Sequence, residues 1–219
     1  MTEQSTGLGP EQINPFHSHN RVQTGEDAVR ALLVVASALG PLRLRAFVRD
    51  TLLAGSDLRT GYRVCADSGI LFDLAFPRPR SPDLHTPTDA VVVGLTYGAP
   101  IRVDYDVLDQ YMRDTVRRGV PDARVVDPAN GVTIYLESQK GDWQSSSDLA
   151  RHVSAVFASG TPSSDVYRGV GWDAVLSGLR RVVEDDTGAD GPVPLEVYLV
   201  NALSAYLADL GVVREGLER

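Results

Sequence analysis

Lysine is almost missing from this chain of 219 residues: Lys140 stands alone against twenty arginines. A phosphate-binding P-loop needs a lysine followed by Ser or Thr after a glycine-rich turn. Lys140 lies in Ser138-Gln139-Lys140-Gly141-Asp142, with no glycines before it and no hydroxyl after it. The strand lysine and HRD loop of protein kinases are absent too. Schiff-base chemistry would fall on Lys140 alone. A GC-rich genome writes Arg, Ala, Val, Gly and Asp in place of Lys, Asn and Ile. The composition therefore fits a high-GC bacterium and is actinobacterial-like.

Cysteine is equally scarce. With Cys65 alone, no intramolecular disulfide can form and no cysteine-rich zinc site can be built. The chain suits a reducing cytoplasm. Cys65 falls in the strand-like run Tyr62-Arg63-Val64-Cys65-Ala66, where a buried inert thiol is expected. No run of eighteen apolar residues occurs, so no membrane span is expected. The start, Met1-Thr2-Glu3-Gln4-Ser5, lacks the basic and apolar segments of a signal peptide. Localisation is expected to be cytoplasmic, with no membrane partner.

Positive charge is also in deficit. The formal net charge is −8 and the pI about 4.9. Nucleic-acid backbones are held by clustered Lys and Arg, so no nucleic-acid partner is expected. The groups Arg43, Arg45, Arg49 and Arg113, Arg117, Arg118 read as solvated faces. Neither a Gly-x-Ser-x-Gly elbow nor a Gly-x-Gly-x-x-Gly turn is present.

What is present is ordinary globular material: 43% hydrophobic and 23% charged residues, enough for one sizeable core. Residues 1–24 have almost no apolar periodicity and read as a flexible N-terminal arm, leaving 25–219 as one globular domain. Helices are expected at about 26–39, 107–118, 146–158, 170–184 and 195–210, each on an apolar stripe of helical spacing. Strands are expected at about 42–49, 62–66, 70–76, 90–97, 123–127 and 131–137. The run 42–49 alternates Leu42, Leu44, Ala46, Val48 with Arg43, Arg45, Phe47, Arg49, which favours a strand. Leu44, Phe47, Val48 and Leu52 also suit a helix.

Asp67-Ser68-Gly69 predicts a hairpin between 62–66 and 70–76, and Asp127 to Gly131 a second one. In 131–137 the alternation of Val132, Ile134, Leu136 with Thr133, Tyr135, Glu137 predicts one wet face. Residues 90–97, apolar on both faces at their start, belong inside the sheet. Residues 77–89 carry Pro77, Pro79, Pro82 and Pro87 and read as a loop. The order predicts an α+β fold with a mixed or mainly antiparallel sheet and helices mostly on one side.

Candidate sites are few. His17-Ser18-His19 has metal-hydrolase spacing, but only His85 and His152 remain as further histidines. The segment reads as part of a polar arm. Glu184-Asp185-Asp186 with Asp190 could gather a cation but lacks EF-hand order. Trp143, in Gly141-Asp142-Trp143-Gln144, is either a binding anchor or a staple onto the next helix.

Gly55-Ser56-Asp57 followed by Asp73 resembles the nucleotidyltransferase superfamily pattern over about twenty residues. In that family a Gly-Ser turn holds the triphosphate, and two carboxylates one residue apart bind Mg²⁺. Here Leu71 stands at the first carboxylate position. Under this resemblance Ser56, Asp73 and Asp104 would act on nucleotide phosphates with Mg²⁺, and Asp106 could serve as a further carboxylate.

No constellation passes its spacing test for catalysis. The leading expectation is a non-catalytic accessory, assembly or regulatory protein working through protein contact or self-association, with no cofactor and no metal site. The alternatives are the small metal-dependent enzyme just described and a small-molecule-binding or biosynthetic accessory domain.

Overall fold

The computed structural model describes Phe16 and residues 25–67, 69–74, 89–96, 122–138, 167–185 and 193–213. Helices α1 (Gly25–Ala38), α2 (Pro41–Phe47) and the short α3 (Leu58–Gly61) come first. Four strands follow: β1 (Leu71–Leu74), β2 (Asp89–Thr96), β3 (Ala123–Asp127) and β4 (Val132–Ser138). The chain then runs through β5 (Tyr167–Gly171) directly into α4 (Trp172–Glu184), and α5 (Pro194–Asp209) is the last described helix. This is an α+β fold with a mixed sheet, as the sequence predicts. The helices expected over 107–118 and 146–158 lie outside the described residues.

The sheet order is β1-β3-β4-β2-β5. β1 pairs antiparallel with β3, and β3 antiparallel with β4. β2 pairs parallel with both β4 and β5. The hairpin expected around Asp127 forms, with Asp127 opposite Val132 and Gly131 at φ 63° in its turn. That backbone region suits glycine because it has no Cβ to clash. β2 lies inside the sheet, flanked by β4 and β5.

Three expectations are corrected. Residues 42–49 are helical, not a strand. Pro41 stands at the first helical position, where its missing N–H costs nothing. Leu44, Phe47, Val48 and Leu52 all bury, so spacing of three and four wins over alternation of two. Alternation misleads here because Arg45, counted as a polar outward residue, is fully buried. From Val48 to Leu52 the helix widens into a π turn, closed by Leu53 N–H donating to the Val48 carbonyl at 2.9 Å.

Residues 62–66 are not a strand, and the hairpin around Asp67 does not form. β1 pairs with β3 instead. The carbonyls of Cys65 and Asp67 accept from Arg45, and the backbone of Arg63 bonds the Asn130 side chain. Their hydrogen-bonding capacity is spent on side chains rather than on a ladder.

The wet face expected on 131–137 is covered: Thr133 and Glu137 are buried. Alternation reports side-chain polarity, and polar side chains can be buried when their charge is suppressed or their groups are bonded.

Among the described residues, one apolar cluster joins the helices to one face of the sheet. It takes Val91, Val93 and Leu95 from alternate positions of β2, with Ile134 and Leu136 of β4 at the paired positions. Helices supply Val29 and Leu32 of α1, Phe47 of α2, Val175 and Leu179 of α4, and Leu203 and Leu207 of α5. α1 packs on β4 and α5; α4 packs on α2, α5 and β5. Two close approaches set these distances. A Cβ on Gly178 of α4 would come within 2.0 Å of Thr51 Oγ1, and one on Gly25 within 2.5 Å of the Ser138 carbonyl oxygen. Phe16, from the segment read as an arm, tilts its ring at 44° against Tyr206, with centroids 5.9 Å apart.

Candidate functional site

Parallel strands β4, β2 and β5 end together. Their carboxyl ends are Ser138, Thr96 and Gly171, and the register sets Leu95 between Ser138 and Val170, with Thr96 opposite Gly171. In open α/β sheets ligands bind at the carboxyl edge of the strands, and this mixed sheet presents such an edge on its three parallel strands. Here it carries two buried carboxyl groups. Asp122 immediately precedes β3 and Glu137 lies near the end of β4. Asp122 N–H donates to Glu137 Oε2 at 3.2 Å, and Ser138 N–H donates to Asp122 Oδ2 at 2.8 Å.

Burial disfavours the charged form of both carboxyls. It pushes Glu137 up to about 8, helped by the neighbouring Asp122. It pushes Asp122 up to about 6 against the opposing Ser138 hydrogen bond. At neutral pH Glu137 therefore holds its proton. Neither residue is signalled by the sequence: Asp122 sits in a turn, and Glu137 occupies a position expected to be wet.

A second polar cluster lies on the other side of the β3–β4 hairpin. Arg45 Nε and Nη2 donate to Asp127 Oδ2 and Oδ1, both at 2.9 Å. Arg45 Nη1 donates to the carbonyls of Cys65 and Asp67. Tyr62 Oη and Asn130 Nδ2 also donate to Asp127 Oδ2, at 2.7 and 2.8 Å. Burial alone would raise Asp127, but the bonds from Arg45, Asn130 and Tyr62 outweigh it and hold the carboxyl below its ordinary range. Burial, then the bond to Asp127, drives the Tyr62 hydroxyl upward. Every polar atom here is used in joining α2, residues 62–67 and the hairpin, so the cluster is a structural tie.

On the surface, a cleft of about 560 Å³ opens between α2, residues 64–66, and the ends of α4 and α5 that face each other. Leu42, Ala46, Val64, Val182 and Val193 line it. At its side Glu196 of α5 accepts from Gly40 N–H at 3.1 Å and from Arg43 Nη1 at 2.6 Å, tying α5 to the turn between α1 and α2.

The residues singled out by sequence are dispersed. Ser56 is buried, and its Oγ accepts from Leu58 N–H at 3.1 Å at the start of α3. Asp73 faces Arg124 across β1 and β3, and its Oδ2 accepts from both Nε and Nη2 of that guanidinium. Cys65 is half-buried. Glu184 and Asp185 close α4 on its exposed side. Asp104, Asp106, His17, His19, His85, His152, Lys140, Trp143, Asp186 and Asp190 lie outside the described residues. Among the described residues no group of three or more His, Cys, Asp or Glu could hold a metal ion. No helix among them is long and apolar enough to cross a membrane. No family model, curated protein or solved structure matches this chain.

Proposed function

We propose that the chain is a non-catalytic accessory, assembly or regulatory protein of a high-GC bacterial cytoplasm, acting through contact with another protein at the cleft between α2 and α5. One observation carries this reading: large apolar side chains stand in water on and beside a concave surface. Leu42 is 51% exposed, Leu195 59% and Val193 37%. Leu42 and Val193 line the cleft, and Leu195 follows Val193 by two residues. Covering such side chains stabilises a complex by roughly 25 cal/mol per Å² of apolar area. Concave apolar ground is where peptide segments insert.

The charge indicates the partner. At −8, two copies of this chain repel one another, whereas a basic protein is attracted and steered. The occupant we infer is an apolar segment of a basic protein. Nucleic acid is disfavoured by the same charge, and the reading requires no cofactor and no membrane.

Nucleotide chemistry at Ser56, Asp73 and Asp104 is the weaker reading. Asp73 would first have to leave Arg124, and Ser56 to release the start of α3.

The test is titration of the full chain with a labelled arginine-rich amphipathic helical peptide, read by fluorescence anisotropy. Binding that weakens with salt and is lost in Leu42→Asp supports the reading. An absence of binding, or binding indifferent to Leu42→Asp, overturns it. Light scattering that shows a stable dimer would replace the basic partner with a second copy.

A further inference from the structure

Three charged side chains line the cleft between α2 and α5: Arg43, Asp185 and Glu196. Two of them cancel. Glu196 accepts from Arg43 Nη1 at 2.6 Å and, on its other oxygen, from Gly40 N–H at 3.1 Å. The guanidinium is thereby neutralised where it borders the cleft, and the start of α2 already faces a carboxylate. Asp185 sets the sign of the charge that remains on the lining, and that sign is negative.

Asp185 is the C-cap of α4, and its N–H donates to the Arg181 carbonyl at 3.0 Å. The last carbonyls of a helix have no intrahelical donor, and they carry the negative end of its dipole. Val182, three residues earlier, lines the same cleft. An aliphatic stem laid over Val182 and Ala46 therefore brings a cationic head to a carboxylate and a helix C-terminus together. The walls are held before anything binds. Val64 and Ala66 flank Cys65, whose carbonyl, like that of Asp67, accepts from the buried Arg45. Glu196 pins the start of α5 in the same way. Walls held like this leave little ordering for a partner to impose.

We propose that the partner segment is anchored by one long cationic side chain, arginine or lysine, whose stem crosses the apolar lining over Val182 and whose head is received by Asp185 at the C-terminal end of α4. The anchor rests on docking at this cleft and adds a register to it. Net charge draws in any basic protein from a distance, whereas Asp185 selects where along the segment the cation must lie. A carboxylate accepts several donors at once, so Asp185 can receive the head without giving up its own contacts. Glu184, the preceding residue, is exposed and does not line the cleft, which makes it the natural comparison.

The test uses the full chain and two labelled helical peptides of one sequence, the first rich in arginine and the second with citrulline, a neutral isostere, at every arginine. Fluorescence anisotropy gives the affinities. Asp185→Asn should weaken the arginine peptide about fivefold, the upper end for one exposed ion pair, and leave the citrulline peptide unchanged. Glu184→Gln removes the same charge from a neighbouring but differently directed side chain, and should change neither affinity by more than about twofold. Both positions are exposed, so the fold is not at stake. Equal losses in the two variants would reduce the effect to net charge and overturn the anchor. An Asp185→Asn variant that binds the arginine peptide as tightly as the parent overturns it too. In either case, binding that still disappears in Leu42→Asp leaves docking at the cleft standing. An absence of binding to the parent overturns both.

Discussion

The guanidinium of Arg45 and the carboxylate of Asp127, 82 positions apart in the chain, meet through two parallel hydrogen bonds of 2.9 Å. The Arg45 side chain is fully buried and that of Asp127 is 2% exposed. Removing one partner of such a pair leaves a buried charge without compensation. Arg45→Met is therefore expected to cost about 3–5 kcal/mol. Adding Asp127→Leu should recover only part of the loss, because the carbonyls of Cys65 and Asp67 also lose their donor. Urea denaturation of both single variants and the double variant measures this; additive losses would show that the pair is not coupled.

Glu137 sets the alkaline limb of stability. The folded chain keeps its proton up to about pH 8, whereas an ordinary glutamate releases it near 4.5. Between those values the unfolded chain binds fewer protons, so stability falls as pH rises from about 4.5 to about 8. Asp122 adds the same sign up to about 6. Asp127 acts in the opposite direction. Its carboxyl is held low, so its contribution is present above the ordinary carboxylate range and is lost on acidification. Glu137→Gln should flatten the decline toward pH 8, as read from urea midpoints at about pH 5, 6.5 and 8. A Gln variant that declines as steeply as the parent would assign the slope elsewhere.

The contact of Gly178 with Thr51 has no spare room. Gly178→Ala places a Cβ within 2.0 Å of Thr51 Oγ1 and 3.0 Å of both its carbons. Overpacking of this kind is expected to cost about 1–3 kcal/mol, although alanine is the better helix former. Thr51→Ala in the same chain should restore part of it. A Gly178→Ala variant at least as stable as the parent in thermal melts would mean that α4 can shift off the π turn freely.

Glu196 joins two helices through a single carboxylate, bonded to Gly40 N–H and Arg43. Glu196→Gln retains one acceptor oxygen but loses the charge. A loss of about 1–2 kcal/mol is expected, in keeping with hydrogen bonds to charged groups. Raised salt should narrow the gap only slightly, because Glu196 is buried. A gap that vanishes in salt would mark the pair as a surface contact.

Much of the fold could be read locally. The stripes of α1 and α4, the apolar run of β2 and the turn chemistry at Asp127 to Gly131 each act within a few residues, where spacing and turn type decide; α5 was legible as a helix but not in its buried face, since Leu195 is exposed while Val200, Leu203 and Leu207 go inside. β5 could not be read this way. Gly169 and Gly171 leave its five residues without a periodic pattern, and only pairing with β2 makes it a strand. The candidate site was less legible still. Ser56 and Asp73 drew notice as residue types, but their side chains serve α3 and Arg124. Asp122 and Glu137 carried no signal because their significance lies in burial.

Composition by itself determined the class of molecule: an acidic chain almost without lysine, with no possible internal disulfide and enough apolar residues for a substantial core. Tertiary structure alone decided which polar groups went inside. Whether an arginine faces water or a carboxylate depends on what arrives from 82 residues away, and no local pattern encodes that. The same holds at the sheet edge, where Thr96, Ser138 and Gly171 become neighbours only because their strands align.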